Sequence, residues 1–220
     1  MKSSRFIFIT GTDTGVGKTV FAAELTHTLR TLGARVVALK PICSGGRNDA
    51  RQLRLAAGKT LSLDEVNPWH FRAVLSPNLA ARREKKRVRL AAVVAHANKI
   101  GSRHELVVVE GAGGLLSPLG EGFDSRDLLV ALRAMPVIVC PNRLGAVNQV
   151  RLVLEALPAA LVKQARVVLV NPPRGGAASR ANRALLAEFF PAGRIFELPW
   201  LNSGSGGQIA TRVVPAVRER

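Results

Sequence analysis

The chain is short of cysteine, of long apolar runs and of acidic residues, and each shortage excludes a class of protein. Its two cysteines, Cys43 and Cys140, lie far apart in 220 residues, with no spacing that suits a metal or redox motif. Reduced thiols in or beside apolar segments are expected. The longest apolar stretches, such as 90–95, fall far short of the ~20 residues that cross a bilayer, so no membrane segment is expected. After Met-Lys-Ser-Ser-Arg comes an apolar run of only 6–9, too brief for the core of a secretion signal, and a cytoplasmic location is expected. The chain has 15 acidic residues against 32 lysines and arginines, a net charge of +17, which attracts anions and acidic surfaces without specifying a fold. The densest basic stretch, 82–89, holds no aromatic residue of the kind that stacks on single strands. It reads as a solvated helix face, and nucleic acid is not an expected partner.

With 47% apolar residues, the chain can build a core, and a domain of this size buries roughly 70–75% of its unfolded surface. Apolar β-branched runs at 6–10, 35–40, 105–110, 136–140, 167–171 and 194–197 alternate with helical patterns at 18–32, 49–57, 79–99, 125–133, 146–157, 178–189 and 208–217. Strands that are apolar throughout, rather than alternately, need cover on both faces, hence parallel pairing with helical crossovers. Neither an internal repeat nor a linker divides the chain, and 172–176 and 203–207 read as loops. One domain over 1–220 is expected, an α/β fold with a doubly wound, mostly parallel sheet and helices on both faces. Ligands of such sheets bind beyond the carboxyl ends of the strands.

The first strand runs straight into Gly11-Thr12-Asp13-Thr14-Gly15-Val16-Gly17-Lys18-Thr19-Val20, and a helix follows at once. Strand, glycine-rich loop, Gly-Lys-Thr and helix in that order make a phosphate-binding loop of the P-loop NTPase type. Gly15 and Gly17 let the backbone turn its N–H groups toward an anion, and the helix adds its positive dipole end. Lys18 is expected on the β- and γ-phosphates of ATP, and the Thr19 hydroxyl on Mg2+. Five residues separate Gly11 from Gly17, one more than usual.

The lengthened loop resembles that of the dethiobiotin synthetase family. The resemblance continues in order through Leu39-Lys40-Pro41-Ile42-Cys43-Ser44-Gly45, Asn48-Asp49, Val66-Asn67-Pro68 and Val109-Glu110-Gly111-Ala112-Gly113-Gly114, then Leu144-Gly145, Asn171 and Leu198-Pro199-Trp200-Leu201. Family membership implies that ATP, CO2 and 7,8-diaminononanoate become dethiobiotin, ADP and phosphate in biotin biosynthesis. One amine takes up CO2 as a carbamate, a carbamate oxygen attacks the γ-phosphate, and the second amine closes the ring and expels phosphate.

Attack of one anion on another needs cations where charge accumulates. Lys40, ending the second strand, is expected opposite Lys18 on the carbamate and γ-phosphate. Thr19, Asp49 and Glu110 are expected as Mg2+ ligands, since Mg2+ takes oxygen and few protein groups. The resemblance further implies Ser44 on the substrate and Thr14 near the carbamate. It implies nucleotide contacts from Val16, Val20, Gly111, Ala112 and Gly113, with Asn171 and Pro172 at the adenine and Pro199, Trp200 and Leu201 closing over it. Gly145, Ala146, Val147 and Asn148, opening a helix with free N–H groups, are expected to capture the substrate carboxylate across a homodimer interface.

Some positions depart from the family pattern. Gly15 stands where some members carry a functional side chain, Pro172-Pro173 stiffens the loop after Asn171, and the turn 202–207 has no acidic residue. His70 is expected to be a packed or surface residue. A partitioning-type ATPase would carry a second lysine early in the loop, and 11–17 has none. A cobyric acid synthase-like ligase would need a glutaminase domain for which 220 residues leave no room.

Overall fold

The computed structural model describes residues 5–199 and Val213. Trp200, Leu201, the loop 203–207 and most of the expected helix 208–217 lie outside the described residues. In chain order the elements are β1 (Phe6–Gly11), α1 (Lys18–Thr31), β2 (Val36–Leu39), β3 (Ile42–Ser44), α2 (Asn48–Ala56), α3 (Leu63–Val66), β4 (Trp69–Phe71), α4 (Pro77–Arg83), α5 (Leu90–Gly101), β5 (Leu106–Glu110), β6 (Pro118–Gly120), β7 (Phe123–Asp124), α6 (Ser125–Ala131), β8 (Met135–Pro141), α7 (Ala146–Ala156), α8 (Ala159–Val162), β9 (Arg166–Val170), α9 (Ala177–Ala187) and β10 (Ile195–Leu198).

Six strands form one sheet in the order β10-β9-β8-β1-β5-β2, and every pairing in it is parallel. All six expected strands are present. β1 and β2 are buried at every residue, which only cover on both faces permits. That cover comes from helices: α1 packs on α2 and β2, α5 on α6 and β5, and α7 on β8 and α9. β1 sits between β5 and β8, where the order of connection reverses, so its carboxyl end opens at the ligand-binding crevice of a doubly wound sheet. Among the described residues no helix is long and apolar enough to cross a membrane.

The single helix expected over 79–99 is two helices. α4 stops at Arg83, Lys85 turns through φ +53°, and α5 begins at Leu90. A continued helix would set Arg82 against Lys86 and Arg83 against Arg87, like charges one turn apart. Instead Glu84 accepts from the Arg72 N–H at 2.5 Å, and Val88 reaches the core with 1% exposure. The basic stretch is solvated as expected, but as a helix end and connector rather than a helix face.

Two short pairings were not legible in the residue pattern. β3 runs parallel to β4, joining Ile42 to Trp69 and Ser44 to Phe71, and β6 pairs antiparallel with β7. The first matters because it carries the chain from Lys40 to Ser44 along the rim of the crevice.

Candidate active site

The loop after β1 takes its shape from glycines at α1. Gly17 is the residue before the helix, at φ +98°, and no side chain caps the N-terminus. The first helical bond runs from the Phe21 N–H to the Gly17 carbonyl at 3.0 Å, so the N–H groups of Lys18, Thr19 and Val20 have no partner among the described residues. They are open to an anion. Lys18 Nζ folds back to donate to the Asp13 carbonyl at 2.6 Å, and the Asp13 carboxylate accepts from the Thr14 N–H at 2.7 Å. Burial, and secondarily the charge of Lys40, push the Lys18 pKa down to about 8, with Glu110, Asp13 and Asp49 opposing.

Beyond β2 and β5, four side chains converge. Lys40 Nζ donates to Glu110 Oε1 at 2.5 Å and to the Gly111 carbonyl at 3.0 Å, and lies 3.3 Å from Asp49 Oδ2. The Thr19 hydroxyl donates to the same Glu110 oxygen at 2.8 Å. Burial acts to lower the Lys40 pKa, but the charges of Glu110 and Asp49 and their hydrogen bonds outweigh it and hold the ammonium above the ordinary lysine value. Glu110 is 1% exposed, and its second oxygen, Oε2, is buried with no hydrogen-bond partner among the described residues.

That orphaned oxygen tests the expected metal. A buried carboxylate oxygen without a donor is costly, and a hard cation satisfies it. Thr19, Asp49 and Glu110 offer oxygen only, and among the described residues no group of three or more His, Cys, Asp and Glu could hold a metal. Sparse oxygen ligation of this kind suits Mg2+, which keeps most of its waters, and does not suit zinc.

A cavity of about 770 Å3 brings together Thr14, Gly15, Gly17, Lys18, Thr19 and Val20 from the loop and helix. Lys40, Ser44, Asp49, Glu110, Ala112 and Gly113 face it from the other strand ends. Gly113 has φ +69°, and a Cβ there would stand 2.3 Å from Ser117 Oγ, so only glycine fits. Val16 is buried in the core at 6% exposure, and Gly111 contributes its carbonyl to Lys40. Ser44 Oγ is engaged with the Leu75 carbonyl at 2.5 Å. Val74 and Leu75, at the cavity mouth, were not singled out from sequence.

Asn67 is another residue whose role the sequence reading missed. Buried at 1%, it donates to the Lys40 carbonyl at 2.7 Å and accepts from Cys43 Sγ and Arg47 Nε at 3.2 and 3.1 Å. It ties the Lys40 turn to the start of α2. Its signal was the Asn-Pro step before β4. His70 is half-buried, with Nε2 2.6 Å from the Gly45 carbonyl, a packed residue as expected.

Asn171 and Pro172 follow β9, and Pro199 follows β10; none of the three lines this cavity. They adjoin it through β9, since Val170 Cγ2 stands 3.4 Å from where a Gly17 side chain would begin. Gly145–Asn148 open α7, also outside the cavity. One expectation there is corrected. The Ala146 N–H is spent on the Arg143 carbonyl at 3.1 Å and its side chain is fully buried, so of the four N–H groups those of Gly145, Val147 and Asn148 are without partners among the described residues.

The family described as an AAA domain matches residues 5–206. The ATP-dependent dethiobiotin synthetase BioD of Anaeromyxobacter dehalogenans strain 2CP-C is 40% identical over 201 residues, 89% of this chain and 90% of the relative. Proteins of that name from Akkermansia muciniphila and Caulobacter sp. strain K31 are each 35% identical, over 88% and 96% of this chain and 92% and 95% of their own lengths. Among solved structures, pNOB8 ParA bound to nonspecific DNA superposes with a TM-score of 0.59 at 16% identity, covering 98% of this chain and 99% of that one. MinD, in the Aquifex aeolicus MinC:MinD complex, gives 0.58 at 16%, covering 98% and 96%. Identities that low speak to the fold alone.

Proposed function

The chain belongs to the ATP-dependent dethiobiotin synthetase family, and on that premise we propose how its residues convert 7,8-diaminononanoate, CO2 and ATP to dethiobiotin, ADP and phosphate. The observation that carries the reading is the meeting of Lys18, Lys40, Thr19, Asp49 and Glu110 in one cavity at the carboxyl ends of β1, β2 and β5.

Phosphates of ATP bind the open N–H groups at the start of α1, with Lys18 released from the Asp13 carbonyl to hold them. Lys40 approaches from the opposite wall and meets the negative charge that builds on the carbamate oxygen and γ-phosphate during transfer. Thr19, Asp49 and Glu110 would hold Mg2+, which supplies positive charge to the phosphates when bound. Thr14 and Ser44 orient the carbamate and the diamine. The second amine then closes the ureido ring and phosphate leaves. Asn171 and Pro172 receive the adenine, with Pro199, Trp200 and Leu201 over it.

The enzyme acts as a homodimer in the cytoplasm. Supporting the dimer, the substrate carries a carboxylate at the far end of an aliphatic chain, and among the described residues the cavity is lined by no arginine and by no lysine besides Lys18 and Lys40. The unpartnered N–H groups of Val147 and Asn148 lie outside that cavity, beside Leu144, which is 87% exposed. A second copy that covers this leucine would bring its α7 N-terminus to the carboxylate.

The test is phosphate release from ATP with and without 7,8-diaminononanoate and bicarbonate. Turnover should require both. ATP hydrolysis indifferent to the diamine, or stimulated by DNA, would overturn the assignment.

A further inference from the structure

Behind Asn171 lies a chain of buried amides whose orientation is fixed by two backbone carbonyls. Asn142 is 1% exposed, at the turn after β8, and Asn182 is 6% exposed on α9. Asn142 Nδ2 faces the backbone carbonyl of Ser179 at 2.9 Å, so that atom must be the nitrogen. The Asn182 amide faces the Arg143 backbone carbonyl at 2.9 Å, which fixes its nitrogen in the same way. That nitrogen also donates to Asn142 Oδ1 at 2.8 Å. The second proton of Asn142 Nδ2 then goes to Asn171, whose facing atom, 2.6 Å away, has to be the oxygen.

Two backbone carbonyls thus determine the rotation of an amide that touches neither of them. Asn171 is half-buried, and its main chain is anchored by a 2.8 Å bond from its N–H to the Leu198 carbonyl. With Oδ1 held from behind, its Nδ2 points away from the network and has no partner among the described residues. Asn142 spends both of its nitrogen protons and its oxygen within the network, which leaves it nothing to offer a ligand.

We infer that Asn142 and Asn182 are positioning residues for nucleotide choice, locking Asn171 with its N–H2 toward the base so that it selects a base edge offering a hydrogen-bond acceptor at that point. The inference rests on the assignment of Asn171 to the base. A free amide can flip to serve either a donor or an acceptor, whereas a locked one cannot, and rejection arises because the wrong base leaves a buried group unpaired. Adenine and uracil present opposite patterns on their pairing edges, adenine a ring nitrogen that accepts and uracil a ring N–H that donates.

The experiment compares steady-state kinetics of the wild type, Asn142→Leu, Asn182→Leu and Asn171→Ala with ATP and with UTP, alongside Tm. Leucine keeps the volume and removes the orienting groups. Asn142→Leu should raise the ATP KM about five- to tenfold and shrink the ATP-over-UTP ratio of kcat/KM by at least that factor, with kcat within about twofold and the diamine KM unchanged. Asn182→Leu, one link further back, should shift the same quantities less, and it serves if Asn142→Leu does not fold. If Asn171→Ala weakens ATP but folded Asn142→Leu and Asn182→Leu keep the wild-type ATP-over-UTP ratio, the lock is refuted while the role of Asn171 stands. If Asn171→Ala leaves the ATP KM unmoved, the base assignment falls and takes the lock with it. A fall in Tm without a change in base discrimination would show the amides to be structural only.

Discussion

Lys40 and Glu110 meet because the sheet register makes them face each other. β2 pairs with β5 through Leu39 and Val109, and one step beyond that last pair the lysine and the glutamate stand side by side, nitrogen to oxygen 2.5 Å apart and both buried. Before nucleotide arrives, each is the other's counter-ion, so neither charge is left alone in the interior. Breaking such a buried pair by removing one partner costs about 3–5 kcal/mol, which gives the pair a structural role beside its proposed chemical one.

Lys40→Gln should therefore fold with a lowered Tm and bind ATP nearly as well as the wild type, while kcat falls about a hundred- to thousandfold. In the proposed mechanism Lys18 and the helix N-terminus hold the ground-state phosphates without Lys40, whereas the charge that develops during transfer needs it. Calorimetry for ATP affinity and single-turnover phosphate release check the two halves. Near-normal turnover would remove Lys40 from the chemistry.

ATP affinity should weaken as pH rises. The free-protein pKa of Lys18 is pushed down to about 8, so above that pH the ammonium is increasingly neutral. Bound phosphates favour the charged form and raise the pKa, so binding takes up a proton between the two values. Affinity should be flat below about pH 7 and fall up to tenfold per unit above 8. Titration calorimetry at pH 8.5 in buffers of different ionisation enthalpy reads the uptake directly, and the prediction fails if none is seen.

Asn67→Ala should destabilise the protein by about 1–3 kcal/mol, because it leaves the Lys40 carbonyl and Arg47 Nε without their partner. Since Asn67 fixes the main chain that carries Lys40, kcat should fall as well. Denaturant unfolding and steady-state rates measured together are the check, and unchanged values for both would show the turn to be held by other contacts.

Asn148→Glu should raise the diamine KM several-fold and leave the ATP KM alone. The position is exposed, so the added carboxylate repels the substrate's own without disturbing the core. A helix N-terminus contributes about 0.3–1 kcal/mol toward an anion, which sets the scale of the loss. Ala146, buried and with its N–H engaged, would confound the same experiment by misfolding. Sedimentation at assay concentration tests the dimer, and a fully active monomer would defeat the cross-subunit arrangement.

The six sheet strands were legible because parallel strands covered on both faces are continuous apolar runs, as 107–109 and 137–140 are. The phosphate loop was legible because its glycines and Lys18 fall at fixed offsets from a strand end. The break at 84–89 was not, since the periodicity of 79–99 ignored the repulsion of charges one turn apart. β3 and β4 were too short, at three residues each, to show any period. The convergence of Lys40 on Glu110 depends on register between strands 70 positions apart in the chain, and no local pattern records it. Asn142 and Asn182 looked like ordinary polar residues, because an amide's partners belong to the tertiary structure.

The central place of β1 also bears on the order in which the protein can form. Phe6 pairs with Val107 on one side and Phe8 with Pro136 on the other, so β1, which precedes both neighbours in the chain, waits for both of them. Contacts that distant in sequence must close long loops before they return any stability, and they set a slow step in folding. The phosphate loop is thus synthesised before the strands that complete its support. A nascent chain halted before β8 can display Gly-Lys-Thr but has no seated β1 to hold it, so nucleotide can act as a folding ligand only for chains that extend past residue 141.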